Sequence, residues 1–156
     1  MDVEALWRAI VVLVHVLGGG VWIGAVGFNV FVLHPRAARF FATPTRFEDF
    51  VFTVVAGMRW WVVAGVSMLA LAGAELWRLR ALGLDAVLAL KVALLSTNAV
   101  LFTWLSWRMW PARVVATAAE LAPLHRRFTR VGALMVTLNL LNVCLGVWHH
   151  VVRDGR

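Results

Sequence analysis

Six side chains stand in stretches that are otherwise apolar, and their types are the ones that could do chemistry: His15, Arg59, Lys91, Asn98, Asn139 and Asn142. A neutral imidazole can ligate a copper ion or the iron of haem b, so His15 is the candidate metal ligand; as a lone histidine on a helix face it also reads as a hydrogen-bonding core residue. An arginine or lysine at the centre of a membrane span costs at least about 2.5 kcal/mol, so Arg59 and Lys91 require inward-facing partners or water. Glu75 is the acidic residue nearest in depth and is the expected partner of Lys91. Arg59 has no obvious carboxylate. Asparagine carbonyls, backbone oxygens and water could share its donors, as could a porphyrin propionate, a lipid head group or a quinone oxygen.

These residues have to be positioned by helices. From Ala9 to Leu33 the only markedly polar side chains are His15 and Asn29, and an apolar run longer than about 18 residues is the mark of a transmembrane helix. Similar runs give spans at about 5–33, 50–77, 84–109 and 128–151. The expected fold is therefore all-α, a transmembrane four-helix bundle occupying 1–156 as a single domain. On the first helix His15, Gly18, Gly19, Trp22 and Asn29 share one stripe, and the glycines beside His15 admit a flat ring or a neighbouring helix. On the fourth, Met135, Asn139, Asn142, Gly146 and His149 form another. At about 1.5 Å per residue, His15, Arg59 and Asn142 each come about 14 Å from a membrane face and Lys91 about 10 Å. The expectation is one polar zone near the midplane to which all four helices contribute.

Pro35 and Pro111 are expected to end the first and third helices. Thr45 and Glu48 have capping-box spacing, which starts a second helix running from about Arg46 to Leu79. A tight polar connection at 78–83 and a longer polar segment at 111–130, partly helical at the interface, complete the outline. His15 precedes Pro35, and Lys91 precedes Pro111, by the same interval; Arg46-Phe47 and Arg127-Phe128 open the second and fourth helices. Two repeated helical hairpins would produce this pattern, as would four spans of equal length.

The formal net charge is +7, yet the arginines lie at the ends of apolar runs rather than on one polar surface, which indicates membrane orientation and not nucleic acid. Arg36, Arg39, Arg46, Arg108, Arg113, Arg126, Arg127 and Arg130 follow the first and third helices, against Arg8, Arg78, Arg80, Arg153 and Arg156 elsewhere outside the spans. That bias places both termini on the non-cytoplasmic side of the plasma (inner) membrane. The amino terminus reads as a retained first span, because its apolar run is too long for a secretory signal. Six of the nine tryptophans fall near expected span ends, with Trp22, Trp60 and Trp61 internal. Cys144 is the only cysteine, so an intrachain disulfide, a CxxC pair and a CxxCH haem attachment are excluded. A Ser-His-Asp pattern, a phosphate loop and HExxH are also missing. The soft ligands Met58, Met68, Met109, Met135 and Cys144 form no closely spaced methionine pair, and a Cu(I) path lined by His15, Met135 and Cys144 is the arrangement they would allow. His34, His125, His149 and His150 are expected at the interfaces.

At HVLGGGVWIG, at Pro35, at the two Arg-Phe openings and at TLNLLNVCLGV, the chain resembles the copper resistance protein D (CopD) family of small integral membrane proteins. That resemblance implies a non-enzymatic role in copper homeostasis or transport across the plasma membrane. The four-helix HemJ family, membrane haem-b proteins acting as protoporphyrinogen oxidases, is also similar through His15, Trp22, Arg59 and Lys91. It implies His15 as an axial haem ligand and Arg59 or Lys91 on a propionate. The chain departs from that family where Ile-Gly follows Trp22, where Phe28 replaces a tyrosine, and where no histidine follows Lys91 in the third helix. Besides the lipid bilayer, the expected partners are a second copy of the chain or a larger respiratory or transport complex in which this is a structural subunit.

Overall fold

The computed structural model describes residues 2–79 and 85–154, and all regular structure among them is helical. The elements in chain order are α1 (Val3–Phe40), α2 (Pro44–Val55), α3 (Met58–Leu79), α4 (Ala86–Val114) and α5 (Ala118–Asp154). Four of them, α1, α3, α4 and α5, are long and apolar enough to cross a membrane, so the chain is a multi-pass membrane protein with the expected bundle. α1 packs chiefly on α3 and α4 chiefly on α5, while a contact between α1 and α5 joins the two hairpins. Trp22, Leu69 and Met135 form the centre, ringed by Val26, Val62, Val66, Leu95, Phe102 and Val131. The outer surface is apolar: Val16, Leu17, Leu71, Val100 and Val147 are all exposed, as they must be where acyl chains are the solvent.

The prolines do not end their helices. A proline has no N–H, and its ring presses on the carbonyl four residues back, which normally breaks the ladder. Here the turn before each proline widens instead. Phe28–Leu33 and Leu105–Met109 are π-helical, with the His34 N–H donating to the Asn29 carbonyl and the Trp110 N–H to that of Leu105. The helix absorbs the ring and runs on to Phe40 in α1 and to Val114 in α4.

The expected second helix is two. Gly57 takes a left-handed conformation (φ 78°), open to glycine without strain, and separates amphipathic α2 from α3. The span therefore begins at Met58, which puts Arg59, Trp60 and Trp61 at its first turn; Arg59 is not at the midplane. α2 is capped by Thr43, whose hydroxyl accepts from the Arg46 N–H with Pro44 in the first turn, so the Thr45–Glu48 box is not formed. The segment at 111–130, expected to be partly helical, is helical over most of its length: α5 starts at Ala118, ahead of the expected start near Arg126, and carries Pro123 inside it. The connection expected at 78–83 lies, beyond Leu79, outside the described residues.

The two hairpins share a layout. His15 on α1 meets Gly73 on α3, Lys91 on α4 meets Gly146 on α5, and each first helix carries its π turn just before its proline. Where the hairpins meet, Gly132 on α5 touches Val30 so closely that an added Cβ would lie 2.4 Å from Val30 Cγ2.

Candidate functional site

Polar groups occur at three levels of the bundle. Nearest the termini, the His15 Nδ1–H donates to the Leu69 carbonyl at 3.2 Å, leaving Nε2 with the lone pair when the ring is neutral. An added Cβ at Gly73 would stand 3.1 Å from His15 Cε1, so the imidazole is pressed against α3. Lys91, in the second turn of α4, stands at the same end of the bundle. Its backbone carbonyl accepts from Asn142 Nδ2 at 3.0 Å, and its ammonium lies against Gly146. The expected Glu75 partner is engaged elsewhere: Glu75 takes Arg78 at 2.6 Å and the Trp7 indole N–H at 2.9 Å. Above Lys91, His149 Nε2 meets Asp85 at 2.9 Å.

In the middle level Asn98 is 0% and Asn139 5% exposed. Asn98 donates to the Leu94 carbonyl, but Asn98 Oδ1, Asn139 Nδ2 and Trp22 Nε1 are enclosed and meet no hydrogen-bond partner among the described residues. Each such atom costs about 1–3 kcal/mol.

The third level is a cavity of about 140 Å³ between the two π turns. Asn29 and Val30 line it from the first, Leu105 and Ser106 from the second, and His34, Met58, Arg59 and Met135 bring it an imidazole, a guanidinium and two thioethers. π turns commonly mark functional sites because they aim side chains that an α-helix would point elsewhere. Arg59 rests over the Trp107 ring, with its Cζ 5.6 Å from the centroid. Trp110 and Phe128 also wall this cavity, and behind them lies a charged cluster that sequence reasoning missed. Arg113 Nη2 donates to both oxygens of Glu48 at 2.9 Å, and His125 Nε2 also meets Glu48. The Arg113 side chain is 1% exposed, sandwiched between Trp110 (5.1 Å) and Phe128 (5.0 Å), with Nε and Nη1 unmet. His34 stacks on Phe128 at 4.5 Å. Burial alone would push the Glu48 carboxyl up, but hydrogen bonds from His125 and Arg113 outweigh it and hold the group below its ordinary range.

Of the six expected site residues, the bundle thus brings His15, Lys91 and Asn142 to one level and Asn98 and Asn139 to the next, with Arg59 at a third. The single midplane zone is a ladder rather than one pocket. Two of the histidines expected at the interfaces face inward: His34 is buried at the cavity, and His125 belongs to the cluster behind it. Cys144 is exposed on the outer surface, so it lines no internal path with His15 and Met135. Among the described residues no group of three or more His, Cys, Asp or Glu side chains is placed to hold a metal ion. The signal for the cavity was present in the sequence only as His34-Pro35 and Trp110-Pro111, two prolines just past the ends of hydrophobic runs. Comparison with protein-family models, with characterised proteins and with solved structures finds no match for this chain.

Proposed function

We propose that this is a membrane protein of copper homeostasis that admits Cu(I) to the bundle as cargo, held between His34, Met58 and Met135. The observation that carries this reading is that those three side chains line the same cavity at the meeting of the π turns. Imidazole and thioether groups are the soft and borderline donors that select Cu(I), and neither loses a proton to bind at neutral pH. The small volume suits an ion and its ligands. The CopD resemblance points the same way. His15 is about 28 Å from His34 along α1 and cannot share that ion; with Nδ1 bonded to the Leu69 carbonyl it offers Nε2 as a second, transient station near the termini.

Haem b is the weaker reading. A cavity of about 140 Å³ is well below the roughly 300 Å³ of even a small organic-ligand site, and His15 lies on Gly73 with no room for a porphyrin unless α1 and α3 part.

Cu(I) competition against a chromophoric chelator, with purified protein in detergent, tests the proposal. Wild type is expected to retain one Cu(I) per chain, and Met58→Leu/Met135→Leu to retain none. The exchange preserves volume, so the fold is kept. A wild type that surrenders all its copper, or a double variant that retains as much, overturns the reading.

A further inference from the structure

A second site lies on the outer surface of α4, away from the cavity's sulfur ligands. Ala99, Val100, Thr103, Trp104, Trp107 and Arg108 line a groove that opens toward the surrounding lipid. Three arginines from three helices gather here, two of them over its two indoles. Arg127 of α5 lies over Trp104 with Cζ 4.9 Å from the ring centroid, Arg59 of α3 lies over Trp107 at 5.6 Å, and Arg108 of α4 is in the lining itself. Among the described residues none of the three has a carboxylate partner: Glu48 is taken by Arg113 and His125, Glu75 by Arg78, and Asp85 by His149.

Their depth is informative. Arg59 precedes the uncharged run Trp60–Ala74 of α3, Arg108 follows the uncharged run Val92–Trp107 of α4, and Arg127 and Arg130 precede the uncharged run Val131–Trp148 of α5. The three arginines therefore stand together at one edge of the hydrocarbon layer, where lipid phosphates lie and where tryptophan indoles prefer to sit. A guanidinium stacked on an indole keeps its position while its N–H donors, which point outward in its own plane, remain free. Such a fork matches two phosphate oxygens. The lining residues run from Arg108 back toward the membrane centre as Thr103, Val100 and Ala99, a narrow strip about two and a half turns long against which an acyl chain can lie.

We propose that this groove binds an anionic phospholipid, with the phosphodiester held by Arg108 and Arg127, assisted by Arg59, and one acyl chain along Val100 and Thr103. Charge complementarity selects the anionic class. Three unpaired positive charges repel the ammonium of a zwitterionic head group and attract one that carries net negative charge.

The test uses the full chain in detergent. Phosphatidylglycerol and phosphatidylcholine, each in mixed micelles, are compared by thermal unfolding and by native mass spectrometry of retained lipid. The expected result is that phosphatidylglycerol raises the melting temperature and stays bound at one per chain, while phosphatidylcholine does neither. Arg108→Gln/Arg127→Gln should bind phosphatidylglycerol at least tenfold more weakly, with its lipid-free melting temperature and Cu(I) retention unchanged. Equal effects of the two lipids on wild type, or wild-type affinity in the double variant, overturn the proposal; so does inorganic phosphate matching phosphatidylglycerol. Should the double variant not fold, Arg108→Lys/Arg127→Lys keeps the charge but lacks the planar fork, and unchanged affinity there also overturns it.

Discussion

Replacing Gly132 with alanine isolates the contact that joins the two hairpins. The new Cβ would lie 2.4 Å from Val30 Cγ2, where carbon atoms in contact normally stand about 3.5–4.0 Å apart. Val30 is 2% exposed and sits in the first π turn, so it cannot swing into open space. Either its rotamer is forced or α1 and α5 separate by about 1 Å, and overpacking of this kind costs about 1–3 kcal/mol. Removing a glycine from a helix returns about 0.5–1 kcal/mol, leaving a net loss of about 1–2 kcal/mol. Thermal unfolding in detergent reads this directly. Gly65→Ala is the control, because nothing lies within 4 Å of its added Cβ, and it should be neutral or slightly stabilising. Val30→Ala combined with Gly132→Ala should recover part of the loss, a coupling that a double-mutant cycle measures. A Gly132→Ala protein as stable as Gly65→Ala would refute the close approach, and with it the position of both π turns around the cavity.

Other expectations concern charge and exposure. Glu48→Gln leaves Arg113 buried without its counter-charge and should cost about 2 kcal/mol at neutral pH by chemical denaturation. Because the Glu48 carboxyl is held below its ordinary value of 4.5, its contribution is complete above that value and fades as pH falls through the lowered one; the gap between wild type and variant should close in acid. A gap that widens in acid contradicts the assignment. Asn139→Leu removes an enclosed donor with no partner among the described residues and should raise the melting temperature or leave it unchanged, whereas a clear fall would mean the amide is bonded. Cys144, on the outer surface beside exposed Leu140, Leu141 and Val147, should be shielded from a charged maleimide in lipid vesicles and react with it only after solubilisation.

The spans and their inner faces were legible because hydrophobicity and helical period act locally. The α5 stripe lies against α4 or the bundle centre at every position: Met135 and Asn139 are buried, Asn142 bonds the Lys91 carbonyl, Gly146 meets Lys91, and His149 meets Asp85. The α1 stripe behaves likewise, with His15 bonded to Leu69, Gly18 and Gly19 facing Leu69, where an added Cβ would stand 3.8–3.9 Å away, and Trp22 in the core. Depth was less legible. Gly57 breaks a helix that hydrophobicity alone would draw as continuous, and this moves Arg59 from the midplane to the membrane edge. Prolines read as stops because sequence patterns cannot show that one widened turn accommodates the ring. The Glu48–Arg113–His125 cluster joins residues 65 and 77 positions apart, and each alone looks like an ordinary interfacial charge. Such a site depends on how α2, α4 and α5 converge, which no local rule encodes.

X-ray absorption at the copper edge, on protein loaded with a single equivalent of Cu(I), probes the cavity itself. The account predicts thioether sulfur together with one imidazole nitrogen in the first coordination shell, and loss of the sulfur signal in Met58→Leu/Met135→Leu. A shell containing only nitrogen and oxygen, or one unchanged in the double variant, would contradict it.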